Sequence, residues 1–197
     1  MKTATPRLCP LPAGGRAALA RIAEALISLV PIAVRFDVTI LVENGGDFPG
    51  SEALWFIMDA VGHPAVRCCW NQCHAMTLRE RPTISIPRLG RKIGLVHLCD
   101  AEFDDQGVLR DYKLPGEGNV EVAKQIELLK GLAYDGYVVF EWPKLWVESL
   151  PGADTVLPSV ARFLRECVDA KQAVLTAYKS DKNKPRMPGR HSTANEV

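Results

Sequence analysis

Glu43, Asn71, His74, His97 and Glu141 are spaced along the chain so that one centre could use them together. Two carboxylates, an imidazole and an amide oxygen form a mixed oxygen and nitrogen donor set. Such a set suits a divalent ion such as Mn²⁺, Mg²⁺, Co²⁺ or Zn²⁺. A carboxylate beside an ion that polarises a carbonyl can move a proton between neighbouring carbons. A polar residue at the end of one apolar run is ordinarily the solvated start of a loop. Here four separate apolar runs end this way, and that repetition points to a shared site.

The four runs read as strands. Val38–Glu43 ends on Glu43, and Ala65–Trp70 ends next to Asn71, with His74 just beyond. Ile93–Cys99 carries His97 near its end, and Gly136–Glu141 ends on Glu141. Helical patterns lie between them. Arg16–Arg35 has apolar residues at spacings of three and four, with Pro31 expected to kink or end it. Glu52–Val61 is expected to be capped by Ser51 and to stop at Gly62. Val120–Leu132 and a last helix from Asp154 or Thr155 to about Tyr178 complete the set. Asn71–Gly90 and Asp100–Asn119 read as connections, and Thr5–Cys9 as one further short strand.

Near-continuous apolar strands separated by helices predict a parallel sheet covered by helices. The first clear strand is not followed by a glycine-rich phosphate loop, which argues against a nucleotide-binding open sheet. In a barrel of parallel strands the C-terminal ends converge on one face, where active sites are built. Strand parity places Glu43 with Leu41, His97 with Leu95 and Ile93, and Glu141 with Val139 and Tyr137 on the inward face. The fold expected is therefore α/β, a partial (β/α)8 barrel with about five parallel strands and outer helices. The domain covers 1–178, and 179–197 reads as a basic, polar, disordered tail.

Composition narrows the function classes. Of 197 residues, 47% are hydrophobic and 24% charged, with a formal net charge of +1, which gives no electrostatic case for nucleic acid or an anionic membrane. The apolar runs read as too short for a spanning helix, and the N-terminus lacks a secretory pattern. The six cysteines form no CxxC pair and read as reduced, buried thiols of a cytoplasmic protein.

Five segments resemble the xylose isomerase-like barrel superfamily of sugar (phosphate) isomerases and epimerases. They are VTILVENGGDF (Val38–Phe48), WNQCH (Trp70–His74), LVHLCDA (Leu95–Ala101), LPGEGNV (Leu114–Val120) and YDGYVVFEW (Tyr134–Trp142). The resemblance covers about Arg7 to Glu166 and begins near the family's fourth strand. It implies Glu43, Asn71, His97 and Glu141 as metal ligands, Glu43 and Glu141 as the proton-transferring pair, and His74 as a substrate contact. The segment after Glu141 adds Trp142 as an aromatic wall for a sugar ring and Lys144 as a contact for substrate oxygens.

The implied function is a divalent-metal-dependent sugar (phosphate) isomerase or epimerase. Asn71 stands where the family usually has Asp, and Gly45 where many relatives have His. A whole barrel has eight strands, so three explanations stay open: Met1 is not the true start, a partner or a second copy completes the barrel, or the chain is a degenerate remnant. Two alternatives stay open. One is a lyase or hydrolase acting on oxidised sugars. The other is an inactive remnant that binds a sugar or a partner without turnover.

Overall fold

The computed structural model of the chain describes residues 15–182. In chain order the elements are α1 (Gly15–Arg35), β1 (Ile40–Glu43), α2 (Ser51–Val61), β2 (Val66–Asn71), α3 (Gln72–Met76) and α4 (Pro82–Leu89). There follow β3 (Ile93–Leu98), β4 (Asp100–Phe103), β5 (Leu109–Lys113), α5 (Val122–Gly131), β6 (Tyr137–Phe140) and α6 (Ala153–Lys182). The strands β1, β2, β3 and β6 form a parallel sheet in that spatial order. Strands β4 and β5 form a separate antiparallel hairpin.

The sheet has two unlike faces because side chains alternate along a strand. Val66, Cys68, Trp70, Ile93 and Val96 lie on one face in a common core with Leu19 and Leu26 of α1, Leu54 and Ile57 of α2, Ile86 and Leu89 of α4, and Leu129 of α5. Each large side chain taken out of water there contributes about 1.5–3 kcal/mol. The opposite face is open: Leu41 and Val139 are each 41% exposed and Tyr137 is 83% exposed. Strands β1 and β6 are the two edges of the sheet. The continuous apolar pattern of Gly136–Glu141 therefore belongs to a strand that this chain leaves largely exposed.

Parity holds except at one place. Cys68 pairs with Ile93 and Cys69 with Leu95, so Gly94 is a bulge. The bulge turns Ile93, with no exposed surface, into the helix-side core, away from the face that carries His97. Ile93 was expected on the inward face. A glycine is needed at the bulge, because a Cβ at Gly94 would come within 2.8 Å of both Leu41 Cδ2 and Arg67 Cβ.

Several expected boundaries shift for physical reasons. Ser51 is the first residue of α2 and not its cap. Its N–H donates to Glu80 Oε2 at 3.1 Å, its hydroxyl donates to Glu80 Oε1, and Arg88 donates to its Oγ at 2.8 Å. A carboxylate from a neighbouring segment thus serves the helix N-terminus, where negative charge is favoured. Gly62 ends α2 with φ 60, as the sequence predicts. Helix α1 continues through Pro31, which lies on its exposed side.

By length and composition α1 is apolar enough to cross a membrane, contrary to the expectation that no segment would be. In the fold, one of its sides packs in the core through Leu19, Ala23, Leu26 and Ala33, while Ile27, Ile32 and Val34 remain exposed. The Asn71–Gly90 connection contains both α3 and α4, and the Asp100–Asn119 loop contains the β4–β5 hairpin. Helix α6 runs through Lys182, past the expected limit at Tyr178. The proposed strand Thr5–Cys9 and the tail beyond residue 182 lie outside the described residues.

Candidate active site

The site forms at the C-terminal ends of the parallel strands. Glu43 is the last residue of β1, Asn71 the last of β2, and His97 lies one residue before the end of β3. Glu141 follows β6, and its N–H donates to Leu98 O at 2.9 Å, prolonging the ladder. β1 and β6 are separated by two intervening strands. In a flat sheet their backbones would stand about 14 Å apart, three spacings of ~4.8 Å. Yet the carboxylates of both strands reach the same two side chains, so the sheet curves toward this face.

His97 Nδ1 lies 2.9 Å from Glu43 Oε1 and 3.1 Å from Glu141 Oε1. Asn71 Nδ2 donates to Glu141 Oε2 at 2.7 Å and to Glu43 Oε1 at 3.2 Å. Glu43, Asn71, His97 and Glu141 therefore converge. His74 stands at the margin, with Nδ1 4.0 Å from Glu43 Oε1 and 2.5 Å from Asn44 O. A carbonyl oxygen only accepts, so that contact puts the proton on Nδ1 and leaves Nε2 as the acceptor. Gly45 lies behind the His74 ring, and a Cβ there would come within 3.2 Å of Nδ1.

Asn71 is pinned on every side. It is 2% exposed. Its N–H donates to Asn44 Oδ1 and its carbonyl accepts from Asn44 Nδ2, both at 2.8 Å. Its Oδ1 accepts the Cys73 N–H at 3.1 Å, at the start of α3. Only the amide nitrogen faces the carboxylates. The expectation that Asn71 offers its oxygen to a metal does not match this geometry.

Three ligand atoms remain for a cation: a carboxylate oxygen from each of Glu43 and Glu141, and His97 Nδ1. Their chemistry suits a divalent ion, and His97 Nδ1 lies close to both carboxylates. The donor atoms within 4.8 Å of one another are those of Glu43, His97 and Cys69, so Glu141 would have to move toward the ion to share it. Binding through Nδ1 requires that nitrogen to be unprotonated.

Cys69 is a member of this cluster that the sequence reading missed. Its sulfur lies within 4.8 Å of the Glu43 and His97 donor atoms. Burial, reinforced by the charges of Glu43 and Glu141, pushes its thiol pKa up to about 12. Without a cation it is therefore a protonated thiol, and coordination would have to displace that proton. The available signal was parity, since Cys69 is two residues before Asn71 on the same face. Cys73 points elsewhere and donates to Cys99 O at 3.2 Å.

Beside the cluster lies a cavity of about 390 Å³ lined by Asn71, His74, Glu141, Trp142 and Trp146, with Phe103 and Tyr112 from the hairpin. Trp142 is one of the lining residues. Its ring stacks on Phe140 at 5.9 Å between centroids, and Nε1 donates to Pro151 O at 2.9 Å. Lys144 is not brought to the cavity: its Nζ donates to Glu148 O. Asp100 serves the neighbouring loop. Its buried carboxylate accepts the N–H groups of Ala101, Gly116, Gly118 and Val120, holding the 114–120 loop.

Comparison with known proteins places this geometry. The profile of the family described as "Xylose isomerase-like TIM barrel" matches residues 6–167. No curated protein matches the chain. Among solved structures, an L-ribulose 3-epimerase is similar with a TM-score of 0.66 and 16% identity, over 86% of this chain and 59% of that one. The IOLI protein with a bound zinc atom gives 0.63 and 21%, over 75% and 55%. The probable 3-DHS dehydratase AsbF of Bacillus anthracis gives 0.63 and 14%, over 78% and 57%. At these identities the likeness concerns the fold. The chain spans little more than half the length of each of these structures.

Proposed function

This chain belongs to the xylose isomerase-like TIM barrel family, and from that premise we propose that it supplies the proton-transfer half of a divalent-metal-dependent sugar isomerase or epimerase. The observation that carries this reading is the approach of His97 Nδ1 to both Glu43 and Glu141, at 2.9 and 3.1 Å. Those three side chains would hold the ion. When bound, the ion would polarise the sugar carbonyl and steady negative charge on its oxygen.

The chain's own residues do the rest. One of the two carboxylates takes the proton from the carbon next to the carbonyl. The other returns a proton to the neighbouring carbon (isomerisation) or to the opposite face of the same carbon (epimerisation). His74, through Nε2, holds a substrate hydroxyl. Trp142 and Trp146 present ring faces to the apolar side of a sugar. The zinc bound by the IOLI protein and the sugar named for the L-ribulose 3-epimerase support this choice of ion and substrate class.

The cavity lining favours an unphosphorylated sugar. None of its residues is Lys or Arg. The nearby cations are engaged: Arg110 with Asp104, and Lys113 with Asp111 and Glu102. A phosphate would therefore meet no free cation on this wall.

A partner, a second copy or further chain completing the barrel belongs to this reading, since Leu41, Tyr137 and Val139 lie open on the inner face. Cys68, Cys69, Cys73, Cys99 and Cys167 are free thiols, as in a reducing, cytoplasmic setting. A non-enzymatic, sugar-binding protein is the second reading, favoured by the amide nitrogen of Asn71 in the ligand cluster.

The test is solvent exchange. Incubation of the protein with unphosphorylated ketoses and Mn²⁺ in D₂O is expected to place deuterium on the carbon beside the carbonyl, with loss in Glu43→Gln and Glu141→Gln. Absence of exchange across the sugar panel, with the sugars still bound, would favour the binding-only reading.

A further inference from the structure

We infer that Asn71 is a residue that weakens cation binding, standing in the ligand cluster as a hydrogen-bond bridge between the two glutamates, so that the ion is exchangeable and not resident. The inference rests on the reading that Glu43, His97 and Glu141 take a divalent cation.

The argument starts from the orientation of the amide. Asn71 Oδ1 accepts the Cys73 N–H at 3.1 Å, and Nδ2 donates to Glu141 Oε2 at 2.7 Å and Glu43 Oε1 at 3.2 Å. Turning the amide over would set Nδ2 against the Cys73 N–H, donor against donor. It would also set Oδ1 against two carboxylates, acceptor against acceptor. Side-chain amides are assigned by such networks, and here both ends give the same answer. The backbone of Asn71 is fixed as well by its two hydrogen bonds with Asn44. The side chain is buried, at 2% exposure.

The amide therefore does two things at once. Without an ion, its N–H groups relieve the repulsion between two carboxylates that approach the same imidazole. With an ion, the positive end of the same dipole faces the cation. An ion at Glu43 Oε1 must compete with the amide hydrogen bond to that same oxygen, whereas Glu141 can bind through Oε1 and keep its Oε2 hydrogen bond. Asn71 adds no ligand in return. A carboxylate at this position would behave oppositely, one oxygen accepting from Cys73 N–H and the other facing the ion. The added charge and the removed N–H dipole act in the same direction, which makes the expected gain at least about 100-fold in affinity.

The probe is Mn²⁺ alone, titrated calorimetrically into the protein as it exists and into its Asn71→Asp variant. The variant is expected to bind one ion at least about 100-fold more tightly than the wild type. The double variant Asn71→Asp with Glu43→Gln is expected to lose most of that gain, which places the ion in the cluster. A second readout needs no affinity: Mn²⁺ should raise the melting temperature of Asn71→Asp more than that of the wild type, because an ion that binds only the folded state stabilises it. Far-UV circular dichroism checks that each variant folds. Equal, tight binding by wild type and variant would overturn the inference and leave the cation reading standing. Binding by neither would overturn the cation reading and the inference with it.

Discussion

At the scale of single residues, the two glutamates carry the proposed chemistry. Glu43→Gln and Glu141→Gln are each expected to lower turnover about 10²–10⁴-fold, the usual contribution of a positioned acid or base, measured as initial rates on the best sugar found. Cys69 gives an independent check on the electrostatics. With its thiol pKa near 12, it should resist iodoacetamide at pH 8, read by mass spectrometry, although it borders the site. Rapid labelling would show that the sulfur is more exposed, or less surrounded by negative charge, than the geometry requires. Glu43, His97 and Glu141 were legible because a charged group ending an apolar strand is costly unless it is used. Cys69 was not, because a thiol in an apolar run is indistinguishable from an ordinary small hydrophobe. Nor could the sequence reveal which end of the Asn71 amide faces the cluster, since that depends on the Cys73 N–H across the turn.

At the scale of elements, the helices and the parallel strands were readable from their periods, and the connections were not. The β4–β5 hairpin was hidden inside a segment rich in Asp and Gly. Its turn is held by Asp104 Oδ1, which accepts from Gln106 N and Val108 N at 2.9 Å each, a local side-chain turn that the sequence DDQG could have signalled. The hairpin matters because Phe103 and Tyr112 form one wall of the cavity. The bulge at Gly94 was likewise invisible to simple alternation, since it depends on what Leu41 and Arg67 occupy across the sheet.

Two predictions belong at this scale. Ala133, exposed and just beyond α5, has φ 53. Ala133→Gly should therefore raise stability by about 1 kcal/mol in a denaturant titration, by removing left-handed strain. Arg81, preceding α4, donates to Glu121, preceding α5, through two hydrogen bonds. The hydrogen bonds and the charge of Arg81 hold the Glu121 pKa below its ordinary value of 4.5. A carboxyl group that binds its proton less readily in the fold than in the unfolded chain stabilises the fold above that ordinary value. The contribution falls away as pH drops from 4.5 through the lowered value. Arg81 is largely exposed, so the pair contributes at most about 1 kcal/mol. Arg81→Ala should lower the denaturant midpoint slightly at pH 7 and have no effect once Glu121 is protonated in both states.

At the scale of the molecule, the chain builds a four-stranded parallel sheet with helices packed on one face and the other face open. An exposed apolar sheet face whose two edges are unpaired among the described residues invites association. Sedimentation of the chain alone should show species larger than one copy. Dye binding to exposed apolar surface should fall when the remaining strands are supplied. A strictly monomeric chain without dye binding would mean that the inner face is better covered than the described residues indicate. The family and the half-barrel were readable from five short segments because strand-end chemistry keeps its order along the chain. The covering of β6 was not, since burial at an edge is decided by whatever lies beyond it.

The most direct test of the account is the position of the ion. A crystal of the protein soaked in MnCl₂ and measured for anomalous scattering should show one Mn²⁺ about 2.0–2.3 Å from oxygens of Glu43 and Glu141 and from His97 Nδ1, with Asn71 supplying no ligand oxygen. Full occupancy by Mn²⁺ at a place remote from these three side chains, or none at saturating concentration, would contradict it.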